Sequence, residues 1–531
     1  MKLYEIYFDE FINITPSLND YLNLSKYKYL KNKMENPYSL DYKFKNIELF
    51  NKYISKLNKI KRATIYDKVL KHICTDNLNY YSYNFMLTPI NHQENIIYEL
   101  FECANGNSIY IYSNKSDYSK FIDKITIFGD IVNSIIINMT NGIKQKYTLP
   151  KIMTYKLITQ LKDLIKNKAY INSNIKFKLE FDFNKKCSEI FINPTNKLID
   201  FLENTYLKQC RDTIGMCHQP NGYKEYKFLV KCSTTLSNIK IDDIYNYGLR
   251  EVTRIYSEMN KIKDKMKFKG TIKAFNTFLR KRKDINFKSS EEVLQCYKDE
   301  VKIINKTIMK TEFHKQVKGR CKILPVPKYN EKYSPEAYYI ACDIEQKRKG
   351  KFYINLRNIQ NNSKMEVESL TIHETFPGHH YQITHVNEND TIPLFLKAYN
   401  NDAYQEGWAL YCENLGKYKT FESYFGKLIL ELLRAIRLVV DTGIHHYGWN
   451  YNKTFKYIKK YSFDSDENIK SQIDRYIVLP SQALSYKIGE KIILDLKSKF
   501  KKNGGNSKDF HSKILEHGPL PLEILKEVIL K

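Results

Sequence analysis

The sequence predicts a mainly α-helical protein with small β elements and a deep cleft. Apolar residues recur at helical spacing along most of the 531 residues, and glycine and proline are scarce, at 19 and 14. Hydrophobic residues make up 42% of the chain and aromatic residues 14%, which is typical of a globular protein. A chain of this length can bury one large core or several modest ones.

The predicted order of helices and strands follows from the points along the chain where the spacing of apolar residues changes. Residues 1 to about 80 are predicted to be helical, and the next part mixes a strand-like stretch at 108–112 with helices such as 117–140. A helix is expected at 151–168, directly after Pro150, whereas residues 176–183 alternate and predict a strand.

The second half begins with long amphipathic helices at about 240–320. Residues 352–356 predict a short strand just before the segment with the strongest chemical signal, and we expect an edge strand that could hold an extended peptide. A turn at 503–507 separates a helical tail. We predict an N-terminal region at 1–220 that caps the cleft and a second region at 221–531.

That chemical signal is at residues 373–380, which read His-Glu-Thr-Phe-Pro-Gly-His-His. Neutral imidazoles bind Zn²⁺, and an adjacent carboxylate can take a proton from metal-bound water. On a regular helix the six-residue step from His373 to His379 would put the two side chains about 120° apart. A proline and a glycine lie in the gap and interrupt a helix. Either a distorted turn brings His379 back beside His373, with His380 as the alternative ligand, or this is no metal site.

Rare residues gather around this motif. Six of the 12 histidines and both tryptophans lie between His373 and Trp449. Between Lys364 and Asp441 there are 11 acidic and seven basic residues, although the whole chain has a formal charge of +27. A locally acidic, histidine-rich stretch suits a bound cation. Alternatively, some of these histidines are ordinary core or surface residues.

A third ligand is available in a helix-like segment at 403–413. Glu406 and Glu413 are seven residues apart and therefore lie on one face. Zinc sites with two histidines and one glutamate keep a fourth position open for water. Glu406 is the preferred ligand, and Glu413 is the reserve or a supporting partner. One of the two could instead be a surface glutamate.

The next helix is apolar almost all round, apart from one polar stripe. Arg434, Arg437, Asp441 and His445 recur at steps of three, four and four. Buried charges are costly unless paired, so the stripe is either an internal Arg–Asp ion pair or a cleft wall beside the metal. We expect Asp441 to neutralise Arg437, and a neighbouring acid to engage Arg434.

The segment that follows supplies further groups for a cleft. Arg475 is then the freer cation and could hold a carboxylate bidentately. Tyr476 or Tyr486 could donate a hydrogen bond to a developing oxyanion. With 43 tyrosines in the chain, a single tyrosine is a weak signal without this context.

Four motifs, taken in order, resemble a known family. They are His-Glu-x-x-Pro-Gly-His-x-x-Gln at 373–382, Glu-Gly-Trp-Ala-Leu-Tyr-x-Glu at 406–413, Arg-Leu-Val-Val-Asp-Thr-Gly-Ile-His at 437–445, and Asp-Arg-Tyr followed by Pro-x-Gln-Ala-Leu-Ser-Tyr-Lys-x-Gly at 474–489. The chain is similar to a broad family of bacterial proteins still called a domain of unknown function and grouped with the zincin-type metallopeptidases. The likeness is strong after about residue 220 and weaker upstream. Ser481 stands where the family often has glycine.

The resemblance implies a zincin-like helical metallohydrolase fold and one zinc ion per chain. It implies His373, His379 and Glu406 as ligands and Glu374 as general base. His445 and Tyr486 are our candidates for steadying an oxyanion. The remaining candidates fall into two groups: Arg475, Arg437, Tyr476 and Gln382 for substrate binding, and Glu413, Asp441 and His380 for support.

The leading hypothesis is therefore a zinc hydrolase of peptide or related amide bonds, with trimming from a free C-terminus slightly favoured. One alternative is an inactive binding or packaging protein with the same fold, although such a protein has no need of Glu374. A second is a basic nucleic-acid-binding protein. Lysine is spread evenly and no nucleic-acid-binding signature is found, so we expect no nucleic-acid partner.

Compartment is predicted from the termini and the cysteines. The N-terminus carries acidic residues and lacks a signal-peptide core, and no apolar run reaches the roughly 18 residues that span a bilayer. Ten scattered cysteines, with no Cys-x-x-Cys pair, indicate reduced thiols. We expect a cytoplasmic protein without membrane contact, or one of a host cytoplasm or virion if the source is viral.

Overall fold

A computed structural model of the chain describes residues 2–328, 331, 334–345 and 347–530. Helices account for 65% of the structure and strands for 3%, which confirms the mainly α prediction. The chain forms two compact units. Unit 1 comprises Met1–Glu225 with Ile477–Leu479, and unit 2 comprises Tyr226–Tyr476 with Pro480–Lys531.

Unit 1 is built from helices around an aromatic core. Phe101, Phe128 and Phe191 are fully buried at its centre, and the Phe101 and Phe191 rings stack with centroids 4.6 Å apart. Its helices are α1 Leu3–Ile14, α2 Leu18–Leu22, α3 Leu40–Asn58, α4 Ile65–Tyr80, α5 Ile96–Ala104, α6 Lys115–Ile125, α7 Phe128–Lys144, α8 Lys151–Lys166 and α9 Phe183–Phe201. The predicted helices to residue 80 and after Pro150 are confirmed.

The two strand predictions in unit 1 were wrong. Residues 108–112 and 176–183 have no strand neighbour in the described structure, apart from Phe183, which begins α9. Every second side chain of the later segment, namely Phe177, Leu179 and Phe181, packs against the helical core. The alternation therefore reflects an extended segment lying on helices, which gives the same period as a strand in a sheet.

Helices also dominate unit 2, and α10 Gly222–Thr234 contains the boundary between the units. The others are α11 Ile241–Lys265, α12 Ile272–Lys281, α13 Ser290–Lys306, α14 Ile308–Glu312, α15 Val367–Glu374, α16 His379–Asn387, α17 Leu394–Lys397, α18 Asp402–Glu413, α19 Phe421–His445, α20 Tyr451–Tyr461, α21 Asp466–Val478, α22 Ser485–Lys502, α23 Ser507–Leu515 and α24 Leu522–Leu530. The predicted long helices at 240–320 and the helical tail are confirmed.

A three-stranded sheet precedes the metal-site segment. It consists of β1 Cys321–Pro325, β2 Ala337–Ile340 and β3 Gly350–Ile354, in the order β1-β3-β2. β3 pairs parallel with β1 and antiparallel with β2. The predicted strand exists, but the expectation of an edge strand was wrong. Because β3 is hydrogen-bonded on both sides, it has no free edge for an extended peptide.

Helix α19 is buried along most of its length by α11. A Cβ atom built on Gly248 of α11 would lie 2.8 Å from the Leu438 Cβ, so the two helices approach closely there. In the first half of α19, Glu431 is buried with Lys427 and Lys487, whose Nζ atoms lie 2.5 and 2.7 Å from its carboxylate oxygens. Arg254 of α11 also donates to Glu431. These buried charges therefore compensate one another.

All ten cysteines are free thiols, as expected. In the described part of the chain, no helix combines the length and apolarity needed to cross a membrane.

Helices α18 and α22 touch backbone to backbone at a pair of glycines. A Cβ atom on Gly407 would lie 2.5 Å from the Gly489 backbone, and one on Gly489 would lie 2.1 Å from the carbonyl oxygen of Ala403. Glycine is required at both positions because any side chain would force the helices apart. Glu406 of α18 lies one residue from this crossing, and Tyr486 of α22 lies three residues from it. The contact therefore holds the two residues on neighbouring helices.

We predict that Gly489→Ala lowers the melting temperature, because the new methyl group meets backbone that cannot move aside. Overpacking costs about 1–3 kcal/mol even in side-chain cores. The matched control is Gly129→Ala in α7, where the nearest atom to the added Cβ is 3.9 Å away. Alanine there improves helix propensity by about 1 kcal/mol, so stability should hold or rise. If the Gly489→Ala protein had the same melting temperature as wild type, that result would contradict the close approach of α18 and α22.

Candidate metal centre

The turn that the sequence required is present between His373 and His379. Helix α15 ends at Glu374 and α16 begins at His379, so the motif belongs to two helices. The Gly378 N–H donates to the carbonyl oxygen of Ile372 at 2.9 Å. A Cβ atom on Gly378 would lie 1.9 Å from the His373 carbonyl oxygen, so only glycine fits. The imidazole rings of His373 and His379 consequently meet, with centroids 4.8 Å apart.

Helix α18 fixes this turn from the side. The indole Nε1–H of Trp408 donates to the Pro377 carbonyl oxygen at 2.8 Å. Asn401 caps the start of the helix by accepting the Tyr404 N–H at 3.1 Å. Trp408 lies two residues after Glu406, so the same helix supports the turn and presents the third candidate ligand.

Three ligand atoms converge at this point. The Glu406 Oε2 atom lies 3.4 Å from the Nε2 atom of His373 and 3.4 Å from that of His379. All three atoms lie within 4.8 Å of one another. The Glu406 Oε2 atom is buried and accepts no hydrogen bond from the described residues. Tetrahedral zinc with bonds of about 2.0–2.1 Å separates its ligand atoms by roughly 3.3 Å, so the donor set fits such an ion.

Glu413 supports the first ligand from behind. Its Oε1 atom accepts the Nδ1–H of His373 at 2.8 Å, and its Oε2 atom accepts from the Ser369 hydroxyl at 2.7 Å. The guanidinium of Arg434 lies 3.9 Å away, as expected for an arginine engaged by an acid. A carboxylate on the far nitrogen of a ligating histidine fixes its orientation and makes its other nitrogen a better donor.

Burial and neighbouring charges shift the pKa values of the candidate ligands. Burial disfavours the charged form of His373, but Glu406 and Glu413 outweigh burial and raise the pKa of His373 to about 9. Burial likewise opposes ionisation of Glu406, yet the imidazoles of His379 and His373 hold its pKa well below its usual range. A cation is therefore favoured between these three side chains, and a metal ion would take the place of the proton.

His380 faces away from the ligand atoms. Its Nε2–H donates to the Gly319 carbonyl oxygen at 3.1 Å, and its Nδ1 accepts from the Tyr339 hydroxyl at 2.9 Å. Burial lowers the pKa of His380 to about 4 and keeps it neutral. Both ring nitrogens are occupied, which leaves His379 as the second ligand of the pair.

Two further motif residues lie beside the ligands. The Glu374 carboxylate is half-buried and forms no hydrogen bond or ion pair within the described ranges. Gln382 is buried, and its amide donates to the Tyr404 carbonyl oxygen at 3.3 Å while its own oxygen has no partner among the described residues. The predicted roles of Glu374 as a base and Gln382 as a substrate ligand stay predictions.

The polar stripe of α19 is organised differently from our expectation. Asp441 does not neutralise Arg437: its carboxylate accepts from the Tyr226 hydroxyl at 2.5 Å and from the Ser481 N–H at 3.1 Å. Burial raises the pKa of Asp441 to about 7, and these two donors only partly offset it. The expected Arg–Asp pair is absent because Asp441 reaches donors on α10 and before α22.

Among the other candidate residues of α19 and of the segment that follows it, Arg437 and Arg475 both approach Tyr486. The Arg437 guanidinium lies over the Tyr486 ring, 4.5 Å from its centroid. Arg475 donates to the Gln482 side chain at 2.8 Å and lies 3.5 Å from the Tyr486 hydroxyl. Tyr476 donates to the Gln472 side chain at 3.1 Å. His445 is fully buried, and its Nε2–H donates to the Tyr476 carbonyl oxygen at 2.8 Å.

Sequence reasoning missed several of these supporting residues. Ser369 lies four residues before His373, hence on the same helical face, and that spacing could have identified it. Trp408 was noted as a rare residue and as part of the second motif, but its role in holding the turn was not predicted. Gln482, which joins Arg475 to Asp402 through hydrogen bonds of 2.8 and 3.2 Å, is part of the fourth motif but was assigned no role.

A family model described as "Bacterial protein of unknown function (DUF885)" matches residues 16–529. The chain belongs to this family. The match covers both units and all of the residues of the candidate metal centre. No curated protein matches the sequence.

Solved structures share the fold. A protein from Colwellia psychrerythraea, described as a "putative lipoprotein", is similar at a TM-score of 0.87 and 22% identity, covering 99% of this chain and 97% of the other. A second such protein, from Shewanella oneidensis and described as of unknown function, has a TM-score of 0.75 and 17% identity, covering 99% and 98%. At these identities the likeness shows the fold alone, and the cytoplasmic location stays a prediction.

We predict that the purified protein retains about one zinc ion per chain after dialysis, because two imidazoles and one carboxylate leave one position open. His373→Ala and His379→Ala should each lose the metal, while the neighbouring control His380→Ala keeps it. Glu413→Gln should weaken zinc affinity about 10–100-fold, as expected for a partner of a ligating histidine. Elemental analysis and chelator competition give these values; full zinc in His379→Ala would refute the ligand set.

Proposed function

We propose that this protein is a zinc-dependent hydrolase of peptide or related amide bonds. The observation that carries the proposal is the convergence of His373, His379 and Glu406 around a buried carboxylate oxygen that lacks a hydrogen bond in the described structure. A buried carboxylate oxygen that accepts no hydrogen bond is costly, and coordination of a cation removes that cost. Two histidines and a glutamate are a donor set typical of catalytic zinc.

The ligand set supports zinc in particular. Imidazole and carboxylate suit zinc better than the hard ions calcium and magnesium, which prefer oxygen ligands. When bound, zinc supplies Lewis acidity, which acidifies water and polarises a carbonyl group. Glu413 keeps the proton of His373 on Nδ1, so that the Nε2 lone pair faces the ion.

Glu374 is the residue proposed to move protons. It follows His373 directly, is half-buried, and its carboxylate is not engaged by other described side chains. As water adds to the substrate carbonyl carbon, Glu374 accepts a proton from it. The same carboxyl group then delivers that proton to the leaving amine nitrogen as the carbon–nitrogen bond breaks.

Tyr486 is the proposed donor to the developing oxyanion. Burial, assisted by the Glu406 carboxylate, raises the pKa of Tyr486, while Arg437 and Arg475 oppose that shift. The phenol therefore stays protonated at neutral pH and can donate its hydrogen. The predicted contribution of His445 is less direct, because its Nε2–H holds the backbone of Tyr476.

The inactive-protein alternative makes a different prediction for Glu374. A fold that is retained only for binding needs neither an unpaired carboxylate beside the metal ligands nor an oriented His373. Both features are present here, which favours catalysis.

We expect Glu374→Gln to lower the rate of peptide hydrolysis about 10²–10⁴-fold, because the amide cannot accept a proton. Zinc content should be unchanged, since Glu374 is not one of the three converging ligands. Turnover on a peptide library, with zinc measured on the same samples, tests this. Glu291→Gln, at an exposed carboxylate on α13, is the control. Loss of zinc in Glu374→Gln would make it a ligand, and unchanged turnover would remove it from the mechanism.

We also expect the enzyme to favour a free C-terminus, because Arg475 has only neutral hydrogen-bond partners in the described structure and can hold a carboxylate. Matched short peptides with free or amidated C-termini should be cleaved at strongly different rates by wild type. Arg475→Lys, which keeps the charge but not the planar fork, should narrow that difference. Equal cleavage of the two peptides by wild type would favour internal cutting instead.

A further inference from the structure

Two guanidinium groups flank Tyr486, and neither forms an ion pair with an acid in the described part of the chain. Arg437 lies over the phenol ring, and its Nε and Nη1 atoms are buried without a hydrogen-bond acceptor there. Arg475 approaches the hydroxyl side of the same ring and is held by Gln482. Both arginines are half-buried, but the Nε and Nη1 atoms of Arg437 are fully buried, so a negative charge at this point would stabilise the pair.

Most acidic residues near these two arginines are bound by other partners. Asp441 is bound by Tyr226 and Ser481, and Glu413 is bound by His373 and Ser369. Asp402 reaches Arg475 through Gln482, and it also acts on Arg475 directly: burial and Glu406 raise the pKa of Asp402, while the hydrogen bond from Gln482 and the charge of Arg475 lower it. Glu406 lies one residue from the crossing of α18 with α22, and Tyr486 lies three residues from the same crossing. Burial lowers the pKa of Arg437, whereas the phenols of Tyr476 and Tyr486 and then the Glu406 carboxylate raise it.

The negative charge of Glu406 cannot compensate both a bound metal ion and Arg437. Two neutral imidazoles and one carboxylate leave a bound divalent ion with one net positive charge. Once the metal is in place, it neutralises the Glu406 carboxylate, and Arg437 loses that compensating charge. An anion that enters at Tyr486 then replaces the lost charge and accepts hydrogen bonds from the unused N–H groups of Arg437.

We propose that Arg437, Arg475 and the Tyr486 hydroxyl form a carboxylate-binding site whose occupancy is coupled to that of the metal site. Metal loading strengthens binding of the carboxylate, and the carboxylate strengthens binding of the metal by the same factor, as thermodynamic linkage requires. The inference rests on the proposed function, because it needs zinc at His373, His379 and Glu406. It names the substrate class as one that carries a free carboxylate near the scissile bond.

The test uses benzoylglycine as the probe and benzoylglycinamide as its neutral counterpart, on the full chain with and without zinc. Calorimetry should show about tenfold tighter binding of benzoylglycine to the zinc form, and no such change for the amide. Chelator competition should show zinc affinity rising by the same factor when benzoylglycine is present. Neither readout depends on turnover.

Substitutions separate the arginines from direct binding of the probe to zinc. Arg437→Gln removes the charge, keeps a hydrogen-bonding side chain, and leaves no acid unpaired, so the variant should fold and bind zinc. Its coupling factor should fall to near one. Arg475→Gln should weaken benzoylglycine binding to the zinc form as well. The matched control is Arg282→Gln, whose guanidinium pairs with Asp284 and Glu422 on the surface of the molecule.

The outcomes distinguish this inference from the proposed function. If wild type binds no zinc, the proposed function fails and the inference with it. If zinc binds but the affinity for benzoylglycine is the same with and without it, the coupling alone is refuted. Coupling that persists in both Arg437→Gln and Arg475→Gln would show that the carboxylate binds the metal itself, and would also overturn the inference.

Discussion

The candidate centre depends on one break in a helix. If α15 continued past Glu374, His379 would lie on a different face from His373, and no third residue could join them. Instead the chain reverses at Pro377 and Gly378, and the tight fit of Gly378 against the His373 carbonyl oxygen admits no side chain. The indole of Trp408 holds the reversed segment, and this contact also brings α18 and its Glu406 alongside.

Three glutamates near this break are distinguished by their surroundings. Glu413 is fully buried and saturated by His373, Ser369 and Arg434, so it can only orient. Glu406 lies between two imidazoles, and one of its oxygens accepts no hydrogen bond from the described residues, which suits its proposed role as a metal ligand. Glu374 is half-buried and forms no hydrogen bond or ion pair with described residues, which suits its proposed role as a general base. We therefore propose three different functions for one residue type, because burial and partners differ.

Local features of the sequence were enough to predict which three side chains converge. Two signals were local: the Pro-Gly interruption between two histidines, and the seven-residue spacing of Glu406 and Glu413. Each spans only one or two turns of helix. The structure brings His373, His379 and Glu406 together. Helices were predictable for the same reason.

Features that depend on distant residues were not predictable. The partners of Asp441 include Tyr226, 215 residues earlier, so helical spacing alone suggested Arg437 instead. The position of β3 at the centre of its sheet depends on β1 and β2, which the sequence did not reveal. In unit 1, Phe177, Leu179 and Phe181 gave a strand-like period although their neighbours are helices.

The most direct test of the account is a crystal structure of the purified protein with anomalous diffraction data at the zinc edge. The account predicts one peak per chain, about 2.0–2.2 Å from the His373 and His379 Nε2 atoms and the Glu406 carboxylate, with Glu374 outside bonding distance. No peak there, or an ion bound through His380, would contradict it.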